Sequence, residues 1–270
     1  MTYSQLCGAL MDAGIENADF EAALLINFFC GKSRAEILSS PEAQYESKEL
    51  YDAVDKRCER YPLQYIFGEW DFFGETYTVN ENCLIPRPDT EMLVEYAIKN
   101  LPAGARFADL CTGSGCIAIS TLVHRPDTSA IAVDVFEKTL ELAKVNAERN
   151  NVADRFTAVL CNLLTDELTQ DGFDAVISNP PYIRTAVVDT LEEELFSEPR
   201  AALDGGEDGL IFYRKILSVH SKALKSGGFI LFEIGYDQEE DIKALGELYG
   251  FNCEVRKDLS GNPRMAILKR

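Results

Sequence analysis

Two short stretches carry residue types that can do chemistry together. In the first, Asp109-Leu-Cys-Thr-Gly-Ser-Gly-Cys-Ile-Ala118, an apolar run gives way to a glycine-rich turn and then to a second apolar run. Gly113 and Gly115 let the backbone turn sharply and approach a ligand closely, and Ala118 permits tight helix–strand packing. The next apolar run ends at Asp134, roughly 20 residues further on, where a carboxylate can accept both hydroxyls of a ribose. The pattern points to an adenosine-containing cofactor. A nicotinamide dinucleotide would use the same glycines and the same acid. Asp109 ahead of the glycines favours S-adenosylmethionine, whose ammonium a nearby carboxylate attracts. Asn162 can bond the adenine edge, with Leu163 packing on the ring.

The second stretch, Asn179-Pro-Pro-Tyr-Ile183, follows another apolar run at 173–178. The two prolines stiffen the turn and leave the Pro180 carbonyl without an ordinary ladder partner. The Asn179 side-chain carbonyl and the Pro180 backbone carbonyl can together accept two hydrogens from one NH2 group, and Tyr182 offers a flat wall for a planar group. This suits methyl transfer to a planar amide or amino nitrogen. Such a nitrogen delocalises its lone pair and is a poor nucleophile unless it is held and pyramidalised.

The surrounding pattern must position these stretches. Residues 106–110, 129–134, 155–160, 173–178, 228–233, 251–256 and 265–269 read as strands, with helices at 116–124, 136–149, 208–224 and 237–248. Such alternation implies a mostly parallel sheet covered on both faces. Ser260-Gly-Asn-Pro263 is too short for a crossover, so the last two strands pair as an antiparallel hairpin. Before them, about 65 residues read as short helices, with Asp19, Ser33 and Ser47 as candidate caps. Residues 68–84 alternate aromatic and polar side chains around Phe73-Gly74 and read as a β-hairpin joining two domains. Pro86-Arg-Pro88 closes it, and Asp89 or Thr90 can cap the helix that follows.

Composition sets outer limits. Among 270 residues, 46% are apolar and 26% charged, the balance of a globular protein. With 26 basic against 45 acidic residues the net charge is −19, which disfavours a phosphate-backbone partner and suits solubility or attraction of a basic protein. No apolar run approaches the length of a bilayer span, and Met1 to Asn17 holds no Lys or Arg, so neither membrane insertion nor a leader is expected and the expected location is the cytoplasm. The eight cysteines show no CxxC spacing and only two histidines are present, so no metal site is expected.

These stretches resemble the HemK/PrmC family, protein-(glutamine-N5) methyltransferases of class I peptide-chain release factors. The resemblance runs through Pro62-Leu-Gln-Tyr-Ile-Phe-Gly68, Leu84-Ile-Pro-Arg-Pro-Asp-Thr-Glu91, the glycine loop, Asn179-Pro-Pro-Tyr-Ile183, Glu198-Pro-Arg-Ala-Ala-Leu-Asp-Gly-Gly-Glu-Asp-Gly-Leu210 and Asp258-Leu-Ser-Gly-Asn-Pro-Arg264. It implies an α/β fold: a class I S-adenosylmethionine-dependent methyltransferase with a Rossmann-like, mostly parallel sheet ending in an antiparallel hairpin, preceded by a small helical bundle. The implied domains are a helical substrate-docking domain at 1–67, a hairpin linker at 68–88 and the methyltransferase domain at 89–270. The implied substrate is the glutamine of a Gly-Gly-Gln loop, held by Asn179, Pro180, Pro181 and Tyr182, with Arg87 at the entrance. Asn179, Pro180 and Tyr182 are the expected catalytic residues. Expected cofactor contacts are Asp109, Cys111, Thr112, Gly113, Ser114 and Gly115, then Asp134, Asn162, Leu163 and Asn179. Cys111 stands where many members have Gly, and Asn162 where Asp is common. The rival reading is an N6-adenine nucleic-acid methyltransferase, which shares Asn-Pro-Pro-Tyr but would need a basic groove.

Overall fold

Capping residues divide the first 68 residues into five helices. Helix α1 (Tyr3–Asp12) starts at Thr2, whose hydroxyl accepts the Gln5 N–H while the Gln5 side chain accepts the Thr2 N–H. Helix α2 (Ala18–Cys30) starts two residues earlier than a cap at Asp19 would place it, with Asn17 at the boundary. Asp19 lies inside the first turn, where its charge complements the helix dipole. Gly31, at φ 65°, stops the helix. Ser33 and Glu36 form a second capping box for α3 (Arg34–Ser39), Ser47 caps α4 (Lys48–Cys58), and α5 (Leu63–Phe67) ends at Gly68.

In the computed structural model, which describes residues 1–270, these helices form one of two compact units, Met1–Gly68 together with Glu192–Ser197. Its core is built on Leu6, Leu10, Leu25, Ile26, Ile37 and Leu50. Within this unit the buried Arg57 guanidinium donates to both Glu21 oxygens, at 2.5 and 3.0 Å, and to Glu194 at 2.8 Å.

The second unit comprises Glu69–Leu191 and Glu198–Arg270. It opens with a hairpin, β1 (Glu69–Phe72) and β2 (Glu75–Thr78), turned by Phe73 and Gly74, both at positive φ, the two-residue turn whose twist matches paired strands. The hairpin is shorter than the alternation to residue 84 implies, because Val79 onward leaves the ladder as a loop. It packs on the sheet domain through Asn146, whose side chain exchanges hydrogen bonds with both backbone groups of Thr78. A single turn at Pro88–Thr90 leads into α6 (Glu91–Asn100), and neither Asp89 nor Thr90 caps it with a side chain.

The remaining elements are β3 (Arg106–Leu110), α7 (Cys116–His124), β4 (Ser129–Asp134), α8 (Glu137–Arg149), β5 (Phe156–Leu160), β6 (Phe173–Ser178), α9 (Thr185–Val188), α10 (Ile211–Ser218), β7 (Leu224–Glu233), α11 (Glu239–Leu248), β8 (Asn252–Lys257) and β9 (Pro263–Lys269). The expected helix at 208–224 is shorter because Gly209, at φ 76°, lies outside helical space and the chain narrows to a 3-10 turn at His220–Ala223. The sheet order is β5-β4-β3-β6-β7-β9-β8, with β3 to β7 parallel and β9 antiparallel to both neighbours. The order reverses between β3 and β6, and right-handed crossovers travelling in opposite directions put their helices on opposite faces. The last strand does not simply extend the edge. Met265 to Leu268 are continuously buried and insert between β7 and β8, while the charged, alternating β8 takes the edge.

Removing the Arg57 guanidinium strands two carboxylates that share it. Arg57→Ala is expected to destabilise the helical unit by about 3 kcal/mol, the lower end of the range for breaking a buried ion pair, since Glu21 and Glu194 keep some solvent. Urea unfolding followed by circular dichroism measures it.

Candidate active site

Because the strand order reverses between β3 and β6, the loops leaving these strands open side by side at the carboxyl end of the sheet, where open α/β sheets bind ligands. A cavity lies there. Cys111, Thr112, Gly113 and Ser114 wall it after β3, and Asp134 after β4. Asn162 and Leu163 follow β5, Asn179 and Pro181 follow β6, and Arg87 comes from the segment before α6. Asp109, Gly115, Pro180 and Tyr182 do not line it.

The glycine loop is held in left-handed backbone at Cys111 (φ 59°), Gly113 (φ 55°) and Gly115 (φ 84°). Cys111 carries a side chain where the angle favours glycine, a strain of roughly 1–2 kcal/mol. Gly115 works beneath the wall: a Cβ there would stand 2.8 Å from Ile119 Cδ1 and 3.3 Å from Ala143 Cβ, so its absence lets α7 and α8 close. Asp109, expected to meet a cofactor ammonium directly, is instead fully buried and braces the loop from within. Its Oδ2 accepts the Thr112 hydroxyl at 2.6 Å and the Ala118 N–H at 3.2 Å. Its Oδ1 has no partner. Burial pushes this carboxyl up to about 7, against the hydrogen bonds from Thr112 and Ala118.

Asp134 accepts the Gly113 N–H at 3.1 Å and the Phe136 N–H at 3.2 Å, which leaves lone pairs on both oxygens for a diol. Asn162 turns its Oδ1 back to the Leu164 N–H, so it offers an adenine edge only its NH2 group. A diol acceptor, an apolar wall at Leu163 and an orphaned buried carboxylate oxygen beneath the loop fit an adenosine group joined to a cationic amino-acid end.

Around the Asn-Pro-Pro-Tyr turn the polar groups are committed in a definite order. Asn179 Nδ2 donates to Thr90 Oγ1 at 3.2 Å, and the Thr90 hydroxyl donates to Glu233 Oε2 at 2.6 Å. The Tyr182 hydroxyl donates to Glu233 Oε1 at 3.2 Å. Burial pushes Glu233 up, opposed by the two hydroxyl donors and the charge of Arg264. Tyr182 therefore gives no wall to the cavity; its ring packs against the core and its hydroxyl is spent on Glu233. No protein donor reaches the Pro180 carbonyl.

The glycine-rich segment after Glu198 explains its own composition. Ile183 bridges Asp204 in parallel through Ile183 N–H to Leu203 O and Gly205 N–H to Ile183 O, and a Cβ at Gly205 would meet Pro181 O at 2.7 Å. A Cβ at Gly209 would stand 2.4 Å from Tyr182 O. Buried Gln238 donates to the carbonyls of both Tyr182 and Gly209. Glu198, also buried, accepts the Ile85 N–H at 3.0 Å and pairs with Arg87, fixing the cavity-lining segment before α6. Thr90, Glu198, Glu233 and Gln238 were not read from the sequence as site residues. Glu233 carried a signal, since it ends an apolar strand run as Asp134 does.

Residues 88–228 match the methyltransferase small domain family, and residues 3–68 the PrmC N-terminal domain. A solved methyltransferase from Pyrococcus furiosus shares the fold, with a TM-score of 0.55 at 22% identity over 73% of this chain and 89% of that one. The fold and the cavity are those of an S-adenosylmethionine-dependent methyltransferase of class I. The release factor glutamine methyltransferase of Caulobacter vibrioides is 39% identical over 266 residues, 96% of this chain and 91% of its own, and that of Clostridium botulinum is 35% identical over 96% and 94%. The chain belongs to the release factor glutamine methyltransferase family.

Two measurements test this geometry. Gly209→Ala forces the Tyr182 carbonyl aside, and a displacement near 1 Å is expected to lower kcat about 100-fold while the affinity for S-adenosylmethionine stays within about threefold. Asp109, its folded carboxyl raised from 3.8 to about 7, stays protonated where the unfolded chain has already ionised. Stability of the cofactor-free protein is therefore expected to fall as pH rises from about 4 to 7 and then level off, a component that Asp109→Asn removes in urea midpoints.

Proposed function

We propose that this chain transfers a methyl group from S-adenosylmethionine to the side-chain amide nitrogen (N5) of the glutamine in the Gly-Gly-Gln motif of class I peptide-chain release factors, in the cytoplasm. The names of its relatives support the release factor as substrate. The observation that carries the amide chemistry is Asn179 at the cavity wall with its NH2 group already donated to Thr90, which leaves Oδ1 as an acceptor. Arg87, held by Glu198, borders the entrance, and the helical unit is proposed to dock the substrate protein.

When bound, the cofactor supplies an electrophilic methyl carbon. The protein's task is to make a poor nucleophile attack it. Asn179 Oδ1 and the Pro180 carbonyl accept the two amide hydrogens and turn the nitrogen lone pair toward that carbon. Holding such a near-attack pose contributes up to roughly 7–11 kcal/mol in the best cases. The same oxygens counter the positive charge that grows on nitrogen, and its proton leaves to water afterwards. No side-chain base is required.

Incubation with labelled S-adenosylmethionine and either a release factor or nucleic acid is expected to place label on the release-factor glutamine; label on nucleic acid alone overturns the reading. Asn179→Ala is expected to lower kcat about 100-fold or more, with cofactor affinity within about threefold, as for removal of one transition-state hydrogen-bonding group. With a net charge of −19, association with a basic substrate surface is expected to slow as salt rises, measured by stopped flow.

A further inference from the structure

We infer that Thr90 is a positioning residue that sets which way the Asn179 carboxamide faces, with Glu233 dictating the choice. The inference rests on the reading that Asn179 holds the substrate amide. A carboxamide has a donor end and an acceptor end of nearly equal size, so packing alone does not choose between them. Only the acceptor end can take a hydrogen from a glutamine NH2.

The choice is made by proton count. Glu233 Oε2 accepts the hydroxyl 2.6 Å away, so that hydroxyl spends its hydrogen there. That hydroxyl has one proton. Once it is committed, Thr90 Oγ1 can only accept, and the group 3.2 Å away on Asn179 must be the NH2 end. A flipped carboxamide would set oxygen against oxygen with no hydrogen between them, at a site where Thr90 is 2% and Glu233 2% exposed. Oδ1 is thereby turned away from Thr90. Both Glu233 oxygens accept a hydroxyl hydrogen, Oε2 from Thr90 and Oε1 from Tyr182, so neither is placed to give one to Thr90. One carboxylate thus pins both ends of the Asn-Pro-Pro-Tyr turn.

The test compares Thr90→Val, which keeps the shape and removes the hydroxyl, with Thr90→Ser, which restores it. Thr90→Val is expected to lower kcat for release-factor methylation about 10- to 100-fold, with KM for the release factor and Kd for S-adenosylmethionine within about threefold. Thr90→Ser is expected to stay within about threefold of wild type. Thr90→Ala is expected to match Thr90→Val and serves if valine disturbs packing. In an Asn179→Ala background, adding Thr90→Val is expected to slow the enzyme no further, because Thr90 acts only through Asn179. Wild-type kcat in Thr90→Val, a slow Thr90→Ser, or losses that multiply in the double variant overturn the inference and leave the proposed function standing. A wild-type protein that places no methyl on the glutamine overturns both.

Discussion

A carboxylate with almost no access to water, Glu233 at the end of β7, accepts hydrogen bonds from Thr90 before α6 and from Tyr182 after β6. Those two bonds join three separate elements at the carboxyl edge of the sheet. A buried carboxyl group is costly unless its oxygens are hydrogen-bonded, so the elements that meet them are held in register by the penalty for moving apart. The acceptor turn inherits that rigidity, and the direction of the Asn179 carboxamide follows from it.

The second constraint is close backbone approach. The acceptor turn is stiff because two prolines fix it, and it is backed by a segment whose glycines at 205 and 209 leave no room for a Cβ against Pro181 and Tyr182. On the cofactor side Gly115 plays the same part between α7 and α8. Both loops leave neighbouring strands at the reversal of strand order, so both contribute walls to the same cavity. Catalysis by orientation asks for this kind of placement rather than for a reactive side chain.

Charge is handled differently in the two halves of the cavity. Asp134 stands at the wall, with backbone donors on both oxygens and lone pairs still open. Asp109 lies wholly inside, with one oxygen satisfied and the other not. A buried carboxyl oxygen without a partner is costly to ionise, and burial raises the Asp109 carboxyl to about 7.

Local chemistry made much of this legible in the amino-acid order. Strand–helix alternation, the glycine loop, Asp134 at a strand end and the Asn-Pro-Pro-Tyr turn are each encoded by residues adjacent in sequence, and periodicity and local motifs read such features directly. The tertiary structure alone decided where the long-range hydrogen bonds went. Thr90 read as a helix cap because nothing nearby in sequence shows that its hydroxyl serves Glu233, 143 residues away, and Asn179, 89 away. Tyr182 read as a cavity wall because its ring is flat, yet its hydroxyl reaches a carboxylate 51 residues on and turns the ring into the core. Asp109 read as a ligand contact because its type and position fit one, whereas burial depth is a property of the packed sheet and not of the residue.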